Sequence, residues 1–284
     1  MKDKSDTSSN WINPLFVTSD GAEKWSESLL LGEKLRRRAN DGWALGTFLI
    51  EVPTAATVTA LSLAEFDFVV LDMEHSSIGF SCLQTLISAG QAAGITTLVR
   101  PCGEDSGIIG KVLDMGAHGI MMPHVDSPER AREIVNQSRY KPLGSRGFSP
   151  LTRFDAFKEP LKSLGDASYV VVQIEGKEAL KRVKEIASVP GIDAVFIGPY
   201  DLALSLGVSP GSPEVHRAAR EMARQVPAEI ALGIYIDDPD TCGEWAEQRF
   251  ALQCVGFDGR MLSDGARQVS GAARSGMSRV GGKS

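Results

Sequence analysis

The sequence has little cysteine and no long apolar run. Its 284 residues include four cysteines, which form no CxxC pair and have no zinc-like spacing to a histidine. This pattern argues against a disulfide scaffold and a structural zinc site, and it favours reduced thiols in a cytoplasmic protein. Neither a stretch of about 18 apolar residues nor a signal-peptide core is present, so the sequence predicts no membrane partner and no secretion.

The sequence also lacks an excess of basic residues. The formal net charge is -6 and the isoelectric point is near 5.4. These values argue against a nucleic-acid partner, because a protein that binds nucleic acid usually has a basic face. The segment 34–38 is the local exception, and we interpret it as a solvated helix face. No GxGxxG follows the first predicted strand and no GxxxxGKS/T occurs, so nothing indicates a dinucleotide site or a P-loop.

Short apolar runs alternate with segments of helical periodicity, which is the pattern of a βαβ protein. Eight such units in about 250 residues predict a (β/α)8 TIM barrel, because closure removes exposed sheet edges. An open doubly wound sheet is the alternative. The predicted strands are 43–49, 66–72, 95–100, 118–122, 168–174, 193–197, 231–235 and 251–256. The predicted helices between and after them are 55–63, 80–93, 105–115, 128–138, 177–188, 215–225 and 239–247, with a last one from Asp258.

We expect one domain over residues 22–275, beginning with an extra N-terminal helix at 22–39. Residues 1–21 and 276–284 are rich in small and polar residues, and they are predicted to be flexible tails. The connection at 140–166 is the one long loop, and a loop of that length on a barrel is usually functional.

Polar side chains stand where five predicted strands end. Because the carboxyl ends of parallel strands meet at one rim of a barrel, where barrel enzymes keep their chemistry, we expect these side chains to lie together. The five residues are Asp72, Arg100, His124, Glu175 and Asp201.

Each residue type suggests a chemical role at that rim. Asp72 is near enough to His75 in the chain to accept the imidazole N–H, which is a general acid/base arrangement. The planar fork of Arg100 suits a carboxylate or a developing enolate oxygen. Two carboxylates on adjacent strand ends, Glu175 and Asp201, suit a hard cation whose other positions are left to water and substrate oxygens.

Structural alternatives exist for three of these residues. Asp201 could be the N-cap of the next helix, His124 could hydrogen-bond a loop carbonyl, and Arg100 could be a structural ion-pair partner. Five polar strand ends on one rim favour a functional site over caps and pairs alone.

Four segments resemble, in order and spacing, the motifs of the HpcH/HpaI aldolase family over roughly residues 40–265. The resemblance implies a barrel that acts as a class II, metal-dependent pyruvate aldolase, as a homo-oligomer (hexamer or trimer) whose last helix packs on a neighbouring subunit. The segments are Asp72-Met73-Glu74-His75, Val99-Arg100-Pro101, Gln173-Ile174-Glu175 and Ile197-Gly198-Pro199-Tyr200-Asp201-Leu202.

The resemblance also implies roles for individual residues. Glu175 and Asp201 would bind Mg, Mn or Co, with Gln173 lining the metal site. Arg100 would hold the pyruvyl oxygen, and His75, oriented by Asp72, would move protons. Gly198 and Pro199 would receive the pyruvate carboxylate. His124, also assigned to substrate binding, resembles a histidine of the macrophomate synthase branch, which decarboxylates oxaloacetate and traps the enolate.

Three functions are therefore open at the level of sequence. The first is a metal-dependent aldolase that cleaves or forms 4-hydroxy-2-oxo acids from pyruvate and an aldehyde or ketone acceptor. The second is a decarboxylase of oxaloacetate, with or without trapping of the enolate. The third is a barrel that binds a metal or ligand without catalysis. The strand-end positions hold no lysine, which argues against a Schiff-base aldolase.

Overall fold

Eight parallel strands close into a barrel, which confirms the predicted (β/α)8 TIM fold. The computed structural model describes residues 31–102, 107–148 and 168–281. Each strand pairs in parallel with the next, and β8 pairs with β1 to close the barrel. The strands are β1 Ala44–Leu49, β2 Phe68–Asp72, β3 Thr96–Arg100, β4 Gly119–Met122, β5 Tyr169–Ile174, β6 Ala194–Ile197, β7 Ala231–Ile236 and β8 Phe250–Phe257.

The helices surround this barrel and match the predicted ones closely. One helix was not predicted: Pro199–Leu206 lies between β6 and the helix expected there, so this connection contains two helices. The described helices are α1 Leu31–Asp41, α2 Ala55–Leu63, α3 Phe80–Ala93, α4 Gly107–Asp114, α5 Pro128–Ser138, α6 Lys177–Ala187, α7 Pro199–Leu206, α8 Pro213–Gln225, α9 Cys242–Glu247 and α10 Asp258–Gly281, with a 3-10 turn at Pro239–Thr241.

Several predicted features fall wholly or partly outside the described residues. These are the N-terminal tail, the first part of the initial helix and most of the 140–166 loop. At the other end, α10 continues to Gly281 and so runs through the start of the predicted C-terminal tail. The four cysteines are all free thiols.

The barrel interior is filled by aromatic rings packed against glycines of the neighbouring strand. A Cβ added at Gly46 on β1 would lie 2.3 Å from the ring of Phe68, and one added at Gly233 on β7 would lie 2.4 Å from the ring of Phe196. These glycines leave room for inward-pointing rings, as a closed eight-stranded barrel filled by side chains requires. A second apolar layer, between strands and helices, is formed mainly by Leu, Ile and Val.

A buried ion-pair cluster joins α1, α5 and β6 at the amino-terminal end of the barrel. Asp193, just before β6, accepts from Arg36 Nε at 3.0 Å and from Arg139 Nη2 at 2.6 Å. It also accepts the backbone N–H of Val170 at 2.7 Å. Arg139, whose side chain is 2% exposed, donates further to the carbonyl oxygens of Ser168 and Gly191. The cluster therefore ties the helix before β1 to β5 and β6.

The last helix, α10, covers little of the barrel after its first turn. Its residues 262–279 are all exposed, and they include the apolar side chains of Leu262, Val269 and Met277. Over the three described ranges, no helix has both the length and the apolar character needed to cross a bilayer. The sequence likewise has few apolar residues here for a helix that closes a barrel.

We expect Asp193→Ala to lower the free energy of unfolding by about 3 kcal/mol or more, because removing one partner of a buried pair leaves uncompensated charge. Urea denaturation followed by circular dichroism measures this change. Glu214→Ala is the matched control, since it removes the carboxylate of an exposed i,i+3 pair with Arg217, and its curve should overlay the wild-type one. Equal midpoints for Asp193→Ala and the wild type would contradict the assignment.

Candidate active site

The centre of the rim is a buried ion pair between the last residues of β2 and β3. Asp72 and Arg100 are register partners in the sheet, and their side chains are 0% and 8% exposed. Arg100 Nε donates to Asp72 Oδ1 at 2.9 Å and Nη2 donates to Oδ2 at 2.7 Å. Burial opposes the charge on Arg100, but the hydrogen bonds and charge of Asp72 outweigh it and raise the pKa of the guanidinium.

The structure differs from the predicted contact between the Asp72 carboxylate and the His75 imidazole. Both Asp72 oxygens bind Arg100, and Oδ1 also accepts the backbone N–H groups of Glu74 at 3.0 Å and His75 at 3.4 Å. A guanidinium at the paired strand position offers two charge-assisted bonds, more than one imidazole can. Asp72 therefore fixes the backbone that carries His75, while the half-exposed imidazole lies with Nε2 3.7 Å from Glu74 Oε2.

Glu74 stands in one of the family-like segments, but the sequence reasoning gave it no role at the rim. Its Oε1 lies 3.0 Å from His124 Nε2, and its Oε2 lies 3.3 Å from Arg100 Nε. The side chain is only 10% exposed, and its contacts connect the ends of β2, β3 and β4. Its position two residues after Asp72, on the same side by strand alternation, was the available signal.

His124 lies two residues after the end of β4 and contacts two carboxylates instead of a loop carbonyl. Its backbone N–H donates to Glu175 Oε1 at 2.7 Å, and its Nδ1 lies 2.8 Å from the same oxygen. The backbone has φ = 54°, the left-handed region that residues other than glycine seldom adopt. The surrounding contacts hold this conformation, as is common at functional sites.

Glu175 follows β5 and is buried beside other acids. Burial raises its pKa to about 7, and the nearby charges of Asp201 and Glu74 act in the same direction, while the contacts with His124 oppose them. Gln173 Nε2 donates to Glu175 Oε2. Among the residues that the structure describes, the buried amide oxygen of Gln173 finds no hydrogen-bond partner, so this position offers an unused oxygen beside the carboxylate.

The start of α7 is packed tightly against this group. Gly198 is the N-cap, Pro199 is the first helical residue and Asp201 lies in the first turn, so the alternative in which Asp201 is the cap is wrong. A Cβ added at Gly198 would lie 2.7 Å from both Gln173 Nε2 and Glu175 Oε2. Any larger residue here would force the side chains of Gln173 and Glu175 to move.

The residues at this place fit a hard divalent cation. Glu175, Asp201 and the unpartnered oxygen of Gln173 are oxygen donors, which Mg²⁺ and Mn²⁺ prefer. No group of three His, Cys, Asp or Glu able to hold a metal occurs in ranges 31–102, 107–148 and 168–281. A cation here would thus have two carboxylates and leave most of its positions to water and substrate oxygens.

A cavity of about 410 Å³ opens from these residues toward solvent. Its inner end is lined by Arg100, Gln173, Gly198 and Asp201, and the half-exposed His75 lies at its mouth, so most of the predicted site residues line one space. The rest of its lining runs from Phe48 of β1, inside the barrel, to an outer end formed by aromatic and charged residues at β7, β8, α7 and α10. The aromatic and charged residues of this part are Phe48, Tyr200, Tyr235, Asp237, Phe257 and Arg260. Of these residues, only Tyr200 belongs to one of the four family-like segments.

Comparisons with known proteins identify the family of this chain. The family model HpcH/HpaI aldolase/citrate lyase matches residues 47–265. A 2-dehydro-3,6-dideoxy-6-sulfogluconate aldolase of Pseudomonas putida is 33% identical over 79% of this chain and 90% of its own length. A hydroxypyruvate/pyruvate aldolase of Rhizorhabdus wittichii is 34% identical over 85% of this chain and 98% of its own.

Among solved structures, macrophomate synthase superposes with a TM-score of 0.73 over 93% of this chain and 91% of its own, at 23% identity. At that identity the likeness concerns the fold, which is again the closed barrel. The family match covers most of the chain and includes every strand end described above. The chain belongs to the HpcH/HpaI aldolase/citrate lyase family of carbon–carbon lyases.

Proposed function

We propose that this protein is a divalent-metal-dependent class II aldolase that cleaves or forms 4-hydroxy-2-oxo acids through the enolate of pyruvate. The observation that carries the proposal is the shared cavity at the carboxyl end of the barrel. It is lined by the fixed guanidinium of Arg100, the Asp201 carboxylate and the start of α7, and Glu175 lies next to it, against Gln173 and Gly198. Two relatives whose names contain aldolase, one of them a hydroxypyruvate/pyruvate aldolase, support the reaction class.

Arg100 would offset negative charge on the enolate oxygen. Its fork is already oriented by the two bonds to Asp72, so little reorganisation is needed when charge develops. Phe48 lies under the guanidinium, with the ring centroid 4.7 Å from Cζ, which further restricts its movement.

Glu175 and Asp201, with the Gln173 oxygen, would hold Mg, Mn or Co. When bound, the cation would supply Lewis acidity to the 2-oxo acid. Gly198 and Pro199 open α7, whose first N–H groups would receive the pyruvate carboxylate.

His75 would move the proton of the C4 hydroxyl or of C3. Its imidazole is half-exposed at the cavity mouth, and Glu74 lies 3.7 Å away. The exposed part of the ring is open to a water or a substrate hydroxyl from the cavity, as a general base requires.

We also propose a homo-oligomer, a trimer or hexamer, in the cytoplasm. The exposed apolar residues of α10 support self-association, and the four free thiols suit a reducing compartment.

Removing the metal should abolish the activity. We expect EDTA to stop pyruvate release from a 4-hydroxy-2-oxo acid and added Mg or Mn to restore it, while borohydride with substrate should not trap the protein. Glu175→Gln and Asp201→Asn should lose Mn binding in calorimetry, because each removes one of two carboxylates.

The matched control is Asp264→Asn, an exposed acid outside this group, which should bind Mn like the wild type. Circular dichroism should give the same barrel spectrum for all variants. Full activity in EDTA would overturn the metal dependence, and Mn binding by both site variants would show that the metal lies elsewhere.

Arg100→Lys tests the guanidinium fork. The substitution keeps the charge beside Asp72 but loses the bidentate geometry, so we expect kcat to fall by about 10²- to 10³-fold, as when one oxyanion donor is removed. Steady-state pyruvate release measures this fall. Arg217→Lys on the exposed face of α8 is the control, and an Arg100→Lys enzyme with more than a tenth of wild-type kcat would contradict the role.

A second candidate function starts from oxaloacetate and loses carbon dioxide before the enolate reacts. The observation that favours it is His124, which stands between Glu74 and Glu175 at the same rim. We expect His124→Ala to lower oxaloacetate decarboxylation at least about tenfold more than aldol cleavage, if this histidine serves that reaction.

Both rates are measured on one preparation by pyruvate formation. His124→Asn is the matched variant, because asparagine tolerates the left-handed backbone of this position and separates loss of the imidazole from strain. Equal losses of the two activities in both variants would argue against the decarboxylase.

A further inference from the structure

Four residues from separate elements form one hydrogen-bonded group at the outer end of the cavity. Tyr200 of α7 donates its hydroxyl to Asp237 Oδ2 at 2.6 Å, and Tyr235 of β7 donates to Asp237 Oδ1 at 3.2 Å. Arg260, in the first turn of α10, donates to Asp237 Oδ1 at 3.0 Å. One carboxylate just after β7 therefore fixes two phenols and a guanidinium.

The phenols are held as neutral donors. Each hydroxyl donates to a carboxylate oxygen of Asp237, at 2.6 Å from Tyr200 and at 3.2 Å from Tyr235. Both hydroxyl protons are used by Asp237. What the two residues offer to a molecule in the cavity is therefore mainly ring surface.

The rings continue an aromatic surface that starts inside the barrel. Phe48 and Tyr235 have ring centroids 6.0 Å apart, and Tyr235 and Tyr200 have centroids 5.7 Å apart. Phe257 lines the same cavity. We call Phe48, Tyr235, Tyr200 and Phe257 the aromatic wall. Tyr200 is about half-exposed, so its ring is open to a molecule that enters the cavity.

The charges beside the aromatic wall cancel. Arg260 pairs with Asp237 and, through Nε, lies 3.6 Å from Asp264, which itself pairs with Arg267 at 2.7 Å. Two cations pair with two carboxylates, so the net charge of this outer cluster is zero. An anionic group would have to displace an existing partner of Arg260.

We propose that the aromatic wall is the acceptor subsite and that it selects an uncharged aldehyde carrying an aromatic ring. This inference rests on the proposed aldolase function. The inner residues would hold the pyruvate half, and the ring of the acceptor would stack on Tyr200 and Tyr235. In the reaction, C3 of pyruvate loses a proton and bonds to the aldehyde carbon, whose oxygen takes up a proton to give a 4-aryl-4-hydroxy-2-oxobutanoate.

The test uses pyruvate with three acceptors: benzaldehyde, acetaldehyde and 4-formylbenzoate. We expect the wild type to have its highest kcat/KM with benzaldehyde. Tyr200→Ala should lower the benzaldehyde to acetaldehyde ratio about tenfold, as loss of one side of an apolar pocket does. Asp237→Asn should raise the ratio of kcat/KM for 4-formylbenzoate to that for benzaldehyde about fivefold, because it leaves Arg260 without its nearest carboxylate. In the double variant Asp237→Asn, Arg260→Gln, this ratio should return to the wild-type value.

Asp240→Asn is the charge-matched control, since Asp240 is exposed three residues from Asp237 and does not line the cavity; its ratios should equal those of the wild type. Each rate is divided by the same variant's exchange of pyruvate C3 protons in D₂O, which needs no acceptor and corrects for losses in the donor half. The subsite would be overturned if the enzyme exchanges the pyruvate protons but the acceptor ratios of Tyr200→Ala and Asp237→Asn equal those of the wild type. A wild-type preference for 4-formylbenzoate would overturn it as well. Absence of exchange in the wild type would instead overturn the aldolase function on which it rests.

Discussion

The bidentate pair between Asp72 and Arg100 is the interaction on which the rest of the site depends. It joins the ends of two neighbouring strands, so the position of the guanidinium is fixed by the register of the sheet itself. The same carboxylate accepts the backbone N–H groups of the next loop and so directs Glu74 and His75. Because both partners are buried, losing either would leave an unpaired charge at the centre of the rim.

The second constraint is the crowding of acids around Glu175. A carboxyl group that is buried near Asp201 and Glu74 resists ionisation, so its pKa is raised. The contacts with His124 lower this pKa but do not cancel the rise. The close approach of Gly198 removes the space in which the carboxylate could turn away. A positive charge placed among these carboxylates would therefore be stabilised. Helix capping by Asp201 would not require such a cluster of acids.

How far the sequence predicts such a site depends on how local the signal is. The βα period and the polar strand ends are local patterns, and they predicted the barrel and brought Arg100, Gln173, Gly198 and Asp201 to one cavity. The partner of Asp72 was not predictable from sequence. Its carboxylate could bind either His75, which is near in the chain, or Arg100 on the neighbouring strand, and the register of the two strands determines which one it binds. The outer end was missed because Asp237 and Arg260 approach through tertiary packing alone, without any common spacing. Helix α7 was missed because Gly198 and Pro199 suggest a turn until the helix after them is seen.

Helix α7 has one more consequence, which concerns how the family can diversify. Within four residues it carries Gly198 against the strand ends, Tyr200 in the aromatic wall and Asp201 beside Glu175. Successive helical residues are about 100° apart. A rotation or translation of α7 that moved one of these three residues would therefore displace the other two. New acceptor preferences are thus expected to evolve by exchanging the side chain at position 200, or those reached from β7 and α10, while the backbone of α7 remains where it is.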